Sequence, residues 1–259
     1  MMFIAQPVRS LGRGAIRLFS AVGRAGYLAG DAVRALRKGS LWAPHLIGQM
    51  ARIGVGSIPI ALFIATFTGV VLALQASDIL TGAVPLYFVG TFVGKTMVLE
   101  LGPVLTGLAL SGRVGAAIAA ELGTMRVTEQ IDALEVMGIN SLNYLVFPKI
   151  VAMLFYPFVI AIAMFLGILG GYTAAVLGGF ATGDQFIQGL QEDFVPFQLV
   201  YAFIKTFVFA ILLATIPSYF GYYMKGGALE VGKASTTSFV WTSVFIILSN
   251  YLITQLLLS

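Results

Sequence analysis

The 259-residue chain has no cysteine and a single histidine, His45. The first absence excludes disulfides, thiolate metal sites and cysteine nucleophiles. The second leaves too few ligands and bases for a histidine metal cluster or a serine–histidine relay. Charge is scarce too: Asp, Glu, Lys and Arg make up 10% of the chain, against about 25% in ordinary soluble domains. Hydrophobic residues make up 59%, and the mean hydropathy is +0.96. A water-soluble fold could not hide that much apolar surface, so the chain reads as an all-α integral membrane protein. There is room for one domain of several spans and none for a large soluble domain. The N-terminus lacks the short apolar core and cleavage site of a signal peptide. No metal and no nucleic-acid partner is expected.

Apolar segments long enough to cross a bilayer, for which about 20 residues are needed, fall near 53–75, 85–110, 150–177, 200–223 and 238–258. This predicts five spans. Breaker residues separate them, including Gly82 and Pro85, Gly178 and Gly179, and Gly226 and Gly227. The expected division is an N-terminal cytoplasmic or interfacial helical region over 1–52, then a five-span domain over 53–259.

Charge orients the spans. Arg9, Arg13, Arg17, Arg24, Arg34, Arg37, Lys38 and Arg52 precede the first span, opposed by Asp31. The 111–149 connection adds Arg113, Arg126 and Lys149, and the 224–237 connection adds Lys225 and Lys233. The other two connections carry Asp78, Asp184, Glu192 and Asp193 and no Lys or Arg. The basic side is expected in the cytoplasm, with the N-terminus inside and the C-terminus outside. Arg9, Arg13 and Arg17 recur every four residues opposite Val8, Leu11, Ala15, Leu18 and Val22. That spacing predicts an amphipathic helix, either lying in the membrane interface or serving as a basic flank. The FIQGLQEDF stretch in the 178–199 connection predicts a short surface helix.

Three features go beyond spanning. Small residues recur every four positions at Ser111, Gly115, Ala119 and Gly123, and at Gly112, Ala116 and Ala120. Such spacing lets helix backbones approach closely, within one chain or between subunits. RVTEQIDALEVM follows, with Glu129, Asp132 and Glu135 on one predicted helical face and Val127, Ile131, Leu134 and Gly138 along another. It is either a solvated connecting helix or one that docks into a groove on a cytoplasmic partner. Inside the spans lie Lys95, Glu100 and Lys205, and charges there are functional candidates because burying them in lipid is costly. Lys95 and Glu100 are five residues apart, roughly 140° around a helix, which is poor for an ion pair. Lys205 is close enough to the outer end of its span to snorkel to the interface. Pro103, following Glu100 closely, should kink its helix, so Glu100 could line a cavity, gate a path or hold packing. Gly227 to Ala234 matches GxxxxGK but has Ala where a phosphate loop needs Ser or Thr, and no strand precedes it. No nucleotide site is expected in this chain.

The stretches VVLALQ at 70–75, ELGPVLTGLALSGRVGAAIAAELGTMRVTEQIDALEVMGI at 100–139, YLVFPK at 144–149 and GGALEVGKASTTSFV at 226–240 resemble the MlaE family, the permease subunits of bacterial Mla/Mce-type lipid ABC transporters. The likeness covers the chain from about residue 50 to its end and is weaker before that. It implies five spans after an N-terminal interfacial helix. It implies a homodimer whose subunits each pair with a cytoplasmic ABC ATPase, beneath an extracytoplasmic MCE-domain protein; some systems add a STAS-domain protein. ATP and magnesium would then belong to the ATPase, with no cofactor here. The implied activity is phospholipid movement between the bacterial inner membrane and the MCE partner, serving outer-membrane lipid homeostasis. Thr128 to Gly138 matches the family's coupling helix, which places Arg126, Glu129, Asp132, Glu135 and Met137 at an ATPase contact. Leu72, Ile79, Leu80, Glu100 and Lys205 match positions at the family's lipid cavity. The chain departs from the pattern at Leu99, where many members carry Arg. The rival readings are an ion-coupled secondary transporter relaying through Lys95 and Glu100, a lipid-modifying enzyme, and a scaffold for the MCE ring without a lipid path.

Overall fold

The structure, a computed structural model, describes residues 23, 26, 27, 30, 39–79, 85–192 and 194–258. The expected helix bearing Arg9, Arg13 and Arg17 lies outside the described residues, as do Leu80 and Asp193. The described residues form helices and turns, with no strand among them. Five helical runs are long and apolar enough to span a membrane: Trp42–Ile79, Phe88–Val127, Leu142–Leu177, Phe197–Tyr222 and Ala228–Leu258. They are called the first to fifth spans below. The all-α, five-span expectation therefore holds.

The boundaries differ from those read off hydropathy. The second span runs 40 residues, to Val127. At 1.5 Å per residue that is about 60 Å, twice a hydrocarbon core of about 30 Å. Residues 111–127 therefore continue the helix instead of forming a connection, and Arg113 sits exposed within it. Hydropathy loses this segment because Arg113, Glu121 and Arg126 lower its average, while its alanines favour helix. The fifth span starts at Ala228, so Gly232 and Lys233 lie inside a helix, not in a loop that could cradle phosphate. Gly226, at φ +118°, makes the turn that precedes it. The first span begins at Trp42 and so runs through the expected division at residue 52.

Close helix contact is built on glycine. The first and third spans touch at Gly69 and Gly167, where a Cβ on Gly69 would overlap the Gly167 carbonyl. Lipid gives helices little hydrophobic reason to associate, so van der Waals contact at such points must hold them. Gly69→Ala is expected to destabilise the protein by about 1–3 kcal/mol or more through overpacking, read as a lower unfolding midpoint in detergent. A midpoint equal to wild type would show that the two backbones can separate freely.

The second and fourth spans interlock the same way. A Cβ on Gly115 would lie 3.1 Å from Pro217 Cγ, and one on Gly221 would lie 2.6 Å from the Ala119 carbonyl oxygen. Gly123 faces Met224 and Val231, and Ser111 Oγ lies 3.1 Å from Ser243 Oγ. The small-residue stripe thus packs within the chain, the second span against the fourth and fifth. Around it lies a core of Leu110, Ile118, Leu122, Ile131, Phe209 and Leu213.

The expected surface helix is Gly183–Glu192. Thr182 and Gln185 cap its start reciprocally: Gln185 N–H donates to Thr182 Oγ1 at 3.3 Å, and Thr182 N–H donates to Gln185 Oε1 at 3.0 Å. It is pinned to the second span where Thr91 Oγ1 donates to the Gly189 carbonyl at 2.7 Å, and Phe186 is fully buried beside it.

Candidate functional site

Two constellations stand out, one within the spans and one at their basic end. The first starts from Pro103. A proline has no N–H, so the carbonyl four residues earlier, on Leu99, loses its helical donor. Met97–Leu101 is also wound as a π turn, a distortion often found at functional sites. Lys205 on the fourth span supplies the missing donor: its Nζ lies 2.7 Å from the Leu99 oxygen. The same ammonium donates to Glu100 Oε1 at 2.9 Å and to the Tyr201 hydroxyl at 2.7 Å. It also lies 4.7 Å from the centre of the Tyr201 ring, a cation–π distance.

The fifth span closes the cluster. Asn250 Nδ2 donates to Glu100 Oε2 at 2.9 Å, and Thr254 Oγ1 lies 3.2 Å from Glu100 Oε1 and 2.7 Å from the Tyr201 hydroxyl. Three spans thus meet around one carboxylate. The Lys205 side chain is 0% exposed and that of Glu100 is 38% exposed. Lys205 therefore does not snorkel; it is an internal counter-charge, and the outward group is the carboxylate. Glu100 is 12 residues into its span, counted from Phe88, or about 18 Å, near the middle of a hydrocarbon core of about 30 Å.

The other residues expected beside Glu100 and Lys205 are not gathered with them. Leu72 is buried among Ala65, Ala76, Val93 and Met97 in a core between the first three spans. In this chain it offers a ligand little surface. Ile79, at the end of the first span, is exposed, and Leu80 lies outside the described residues. Lys95 lines a separate cavity of about 300 Å³ with Val98, Phe165 and Leu190. Sequence reasoning missed Tyr201, Asn250 and Thr254. Their signal was present: polar residues four apart, one helical turn, inside apolar spans, paired as Tyr201 with Lys205 and Asn250 with Thr254.

The second constellation is the Gln130–Val136 helix. The second span ends at Val127, where Thr128 Oγ1 caps the Thr124 carbonyl at 2.9 Å. Glu129 then takes a left-handed φ of 58°, rare for a non-glycine residue. This break separates Glu129 from Asp132 and Glu135, so the expected continuous acidic face does not form. Gly138, at φ +75°, stops the helix. Ile139 N–H donates to the Leu134 carbonyl and Gly138 N–H to the Glu135 carbonyl, both at 3.0 Å, the paired bonds of a Schellman cap. Ile131 is fully buried, while Val136 and Met137 are 89% and 65% exposed. The helix is thus anchored at Ile131 and open at its far end.

Its charges divide. Asp132 pairs outward with Arg126 at 2.7 Å. Glu135 turns inward: its Oε1 accepts from Tyr222 and from Ser141, each at 3.0 Å, and those two hydroxyls lie 2.7 Å apart. Ser141 and Tyr222 are both buried, and Tyr222 ends the fourth span. Behind the helix, Lys149 is buried against Glu121 at 2.8 Å, with Gln49 at 3.2 Å and Arg52 at 3.7 Å from Glu121. Lys149 therefore ties the first three spans together rather than only marking the basic side.

Residues 46–256 match the family model described as Permease MlaE. A probable ABC transporter permease protein of Rickettsia bellii is 37% identical over 248 residues, covering 95% of this chain and 96% of the relative. The intermembrane phospholipid transport system permease protein MlaE of Haemophilus influenzae is 29% identical, covering 96% and 97%. The chloroplastic protein TRIGALACTOSYLDIACYLGLYCEROL 1 of Arabidopsis thaliana is 29% identical over 88% of this chain and 65% of the relative. Both the family match and the near end-to-end similarity carry the same conclusion: a five-span helical membrane protein, this chain belongs to the MlaE permease family.

Proposed function

We propose that the chain is the membrane subunit of an ATP-driven phospholipid transporter, with no catalytic chemistry of its own. Two copies would enclose a lipid cavity, each docked on a cytoplasmic ABC ATPase, with an MCE-domain protein on the opposite face and, in some assemblies, a STAS-domain protein. The basic end would face the cytoplasm and the C-terminus the periplasm of a bacterial inner membrane. Lipid exchanged with the MCE protein would serve outer-membrane homeostasis. The name of the Haemophilus relative, which speaks of phospholipid transport, and those of the Rickettsia relatives, which speak of ABC transporters, support this reading.

The observation that carries it is Glu100, 38% exposed and about 18 Å into its span. A carboxylate open at that depth is too costly to place against lipid tails and belongs to a water-containing cavity or a subunit seam. The Gln130–Val136 helix supplies the ATPase contact through Arg126, Asp132, Val136 and Met137, with Glu129 at its start.

Reconstitution with the partner ATPase tests the coupling. Glu129→Lys with Asp132→Lys breaks an exposed ion pair worth about 1 kcal/mol or less, so the fold should survive. ATPase binding is expected to weaken at least about tenfold, about 1.4 kcal/mol, with loss of lipid-stimulated hydrolysis. Unchanged binding and stimulation would remove the coupling assignment.

A further inference from the structure

The polar cluster around Glu100 also says what kind of headgroup it can hold, an inference that rests on the lipid-permease reading. An ammonium has three N–H donors. Those of Lys205 have three acceptors in place: the Leu99 carbonyl at 2.7 Å, Glu100 Oε1 at 2.9 Å and the Tyr201 hydroxyl at 2.7 Å. Lys205 is fully buried, so no phosphate can reach it without breaking one of these bonds. Thr254 Oγ1 has the Asn250 carbonyl within 2.8 Å, inside its own helix turn, and Asn250 Nδ2 is engaged by Glu100. The donors of the cluster are thus turned inward.

Acceptors are left over. Asn250 Oδ1 is buried with no hydrogen-bond partner among the described residues. The Glu100 carboxylate is the ionic group open to the surface, and its lysine stands behind it. An anionic phosphate arriving there would meet the carboxylate first, and in a low-dielectric site that repulsion is weakly screened. A primary ammonium would instead form charge-assisted hydrogen bonds with the carboxylate.

We infer that this site selects a phospholipid whose headgroup carries a primary ammonium, as phosphatidylethanolamine does, over an anionic one, with Glu100 as the specificity-determining residue. The headgroup would bind at Glu100, and its acyl chains would lie along the apolar walls of the spans.

The test is lipid competition on the intact protein in mild detergent. It uses equimolar dioleoyl phosphatidylethanolamine, phosphatidylglycerol and phosphatidylcholine, and bound lipid is counted by native mass spectrometry. Phosphatidylethanolamine is expected to exceed phosphatidylglycerol about fivefold, the scale of one partly screened charge-assisted hydrogen bond. Phosphatidylcholine, a cation without N–H, is expected to fall well below phosphatidylethanolamine. Equal or better binding of phosphatidylglycerol would overturn the inference while leaving the lipid-site reading intact; equal binding of phosphatidylcholine would overturn N–H donation as its basis. The double variant Glu100→Gln, Lys205→Met removes both charges together, so it leaves no buried charge unpaired. It is expected to keep bound lipid and lose the preference, and a preserved preference would take the role from Glu100. Retention of no lipid by the wild-type protein would overturn the lipid-site reading and this inference with it.

Discussion

Replacing Glu100 by leucine alone is expected to destabilise the purified protein by about 3–5 kcal/mol, because Lys205 would be left buried without its counter-charge. The two partners are not equivalent. Lys205 is 0% exposed and Glu100 38%, so a lone Glu100 can still be hydrated, and Asn250 and Thr254 remain to donate to it. Lys205→Met should therefore cost clearly less than Glu100→Leu. The double variant Glu100→Leu, Lys205→Met should recover most of the loss, since a buried ion pair exchanged whole for apolar groups is often nearly neutral. Denaturant or thermal unfolding of the four proteins in one detergent gives the cycle, with the interaction energy read from its non-additivity. The order follows from geometry: the pair joins the second and fourth spans directly and the fifth through Asn250 and Thr254. Equal stability of all four would mean that other contacts alone hold these spans together.

Much of this was legible in the sequence, and what was not has identifiable physical causes. The five spans follow from hydropathy because the bilayer imposes one length scale on every apolar helix. Residues 111–127 escaped that reading because they leave the hydrocarbon while staying helical, and a hydropathy window cannot separate the end of the membrane from the end of the helix. Glu100 and Lys205 announced themselves as charges among apolar residues. Their contact did not, since 105 positions separate them and no helical period relates them. Pro103 was legible as a kink, but its freed Leu99 carbonyl became a ligand for Lys205 only once the fourth span was in place. The acidic face of Glu129, Asp132 and Glu135 was a periodicity argument, and it failed where the left-handed Glu129 interrupts the period. The same interruption lets Glu135 turn back toward Tyr222.

Removing one hydroxyl, in Tyr222→Phe, is expected to lower the lipid moved per ATP hydrolysed about fivefold or more, the usual scale of coupling between sites, while ATPase binding stays within about twofold, under about 0.5 kcal/mol. Glu135 belongs to the helix that meets the ATPase in the proposed transporter, and the Tyr222 hydroxyl and Ser141 hold its carboxylate at 3.0 Å each. From Tyr222 the fourth span runs as one helix back to Lys205, 17 residues or about 25 Å away. Pro217 interrupts its hydrogen bonding, but there the span rests on Gly115, and at Gly221 it rests on Ala119. These contacts make the fourth span and the lower second span one body, so a push on Glu135 reaches the Glu100 cluster without a flexible joint between. Glu135→Gln keeps an oxygen that accepts from Tyr222 and should stay close to wild type, whereas Glu135→Leu should match Tyr222→Phe. The double variant Glu135→Leu, Tyr222→Phe should be no worse than either single change, because both cut the same link. The hydrogen bonds are worth only about 1 kcal/mol each to stability, so a fall in transport per ATP without a matching fall in unfolding midpoint separates transmission from simple loss of fold. Wild-type transport per ATP in both Tyr222→Phe and Glu135→Leu would show that the stroke reaches the cluster by another route, through the second span alone.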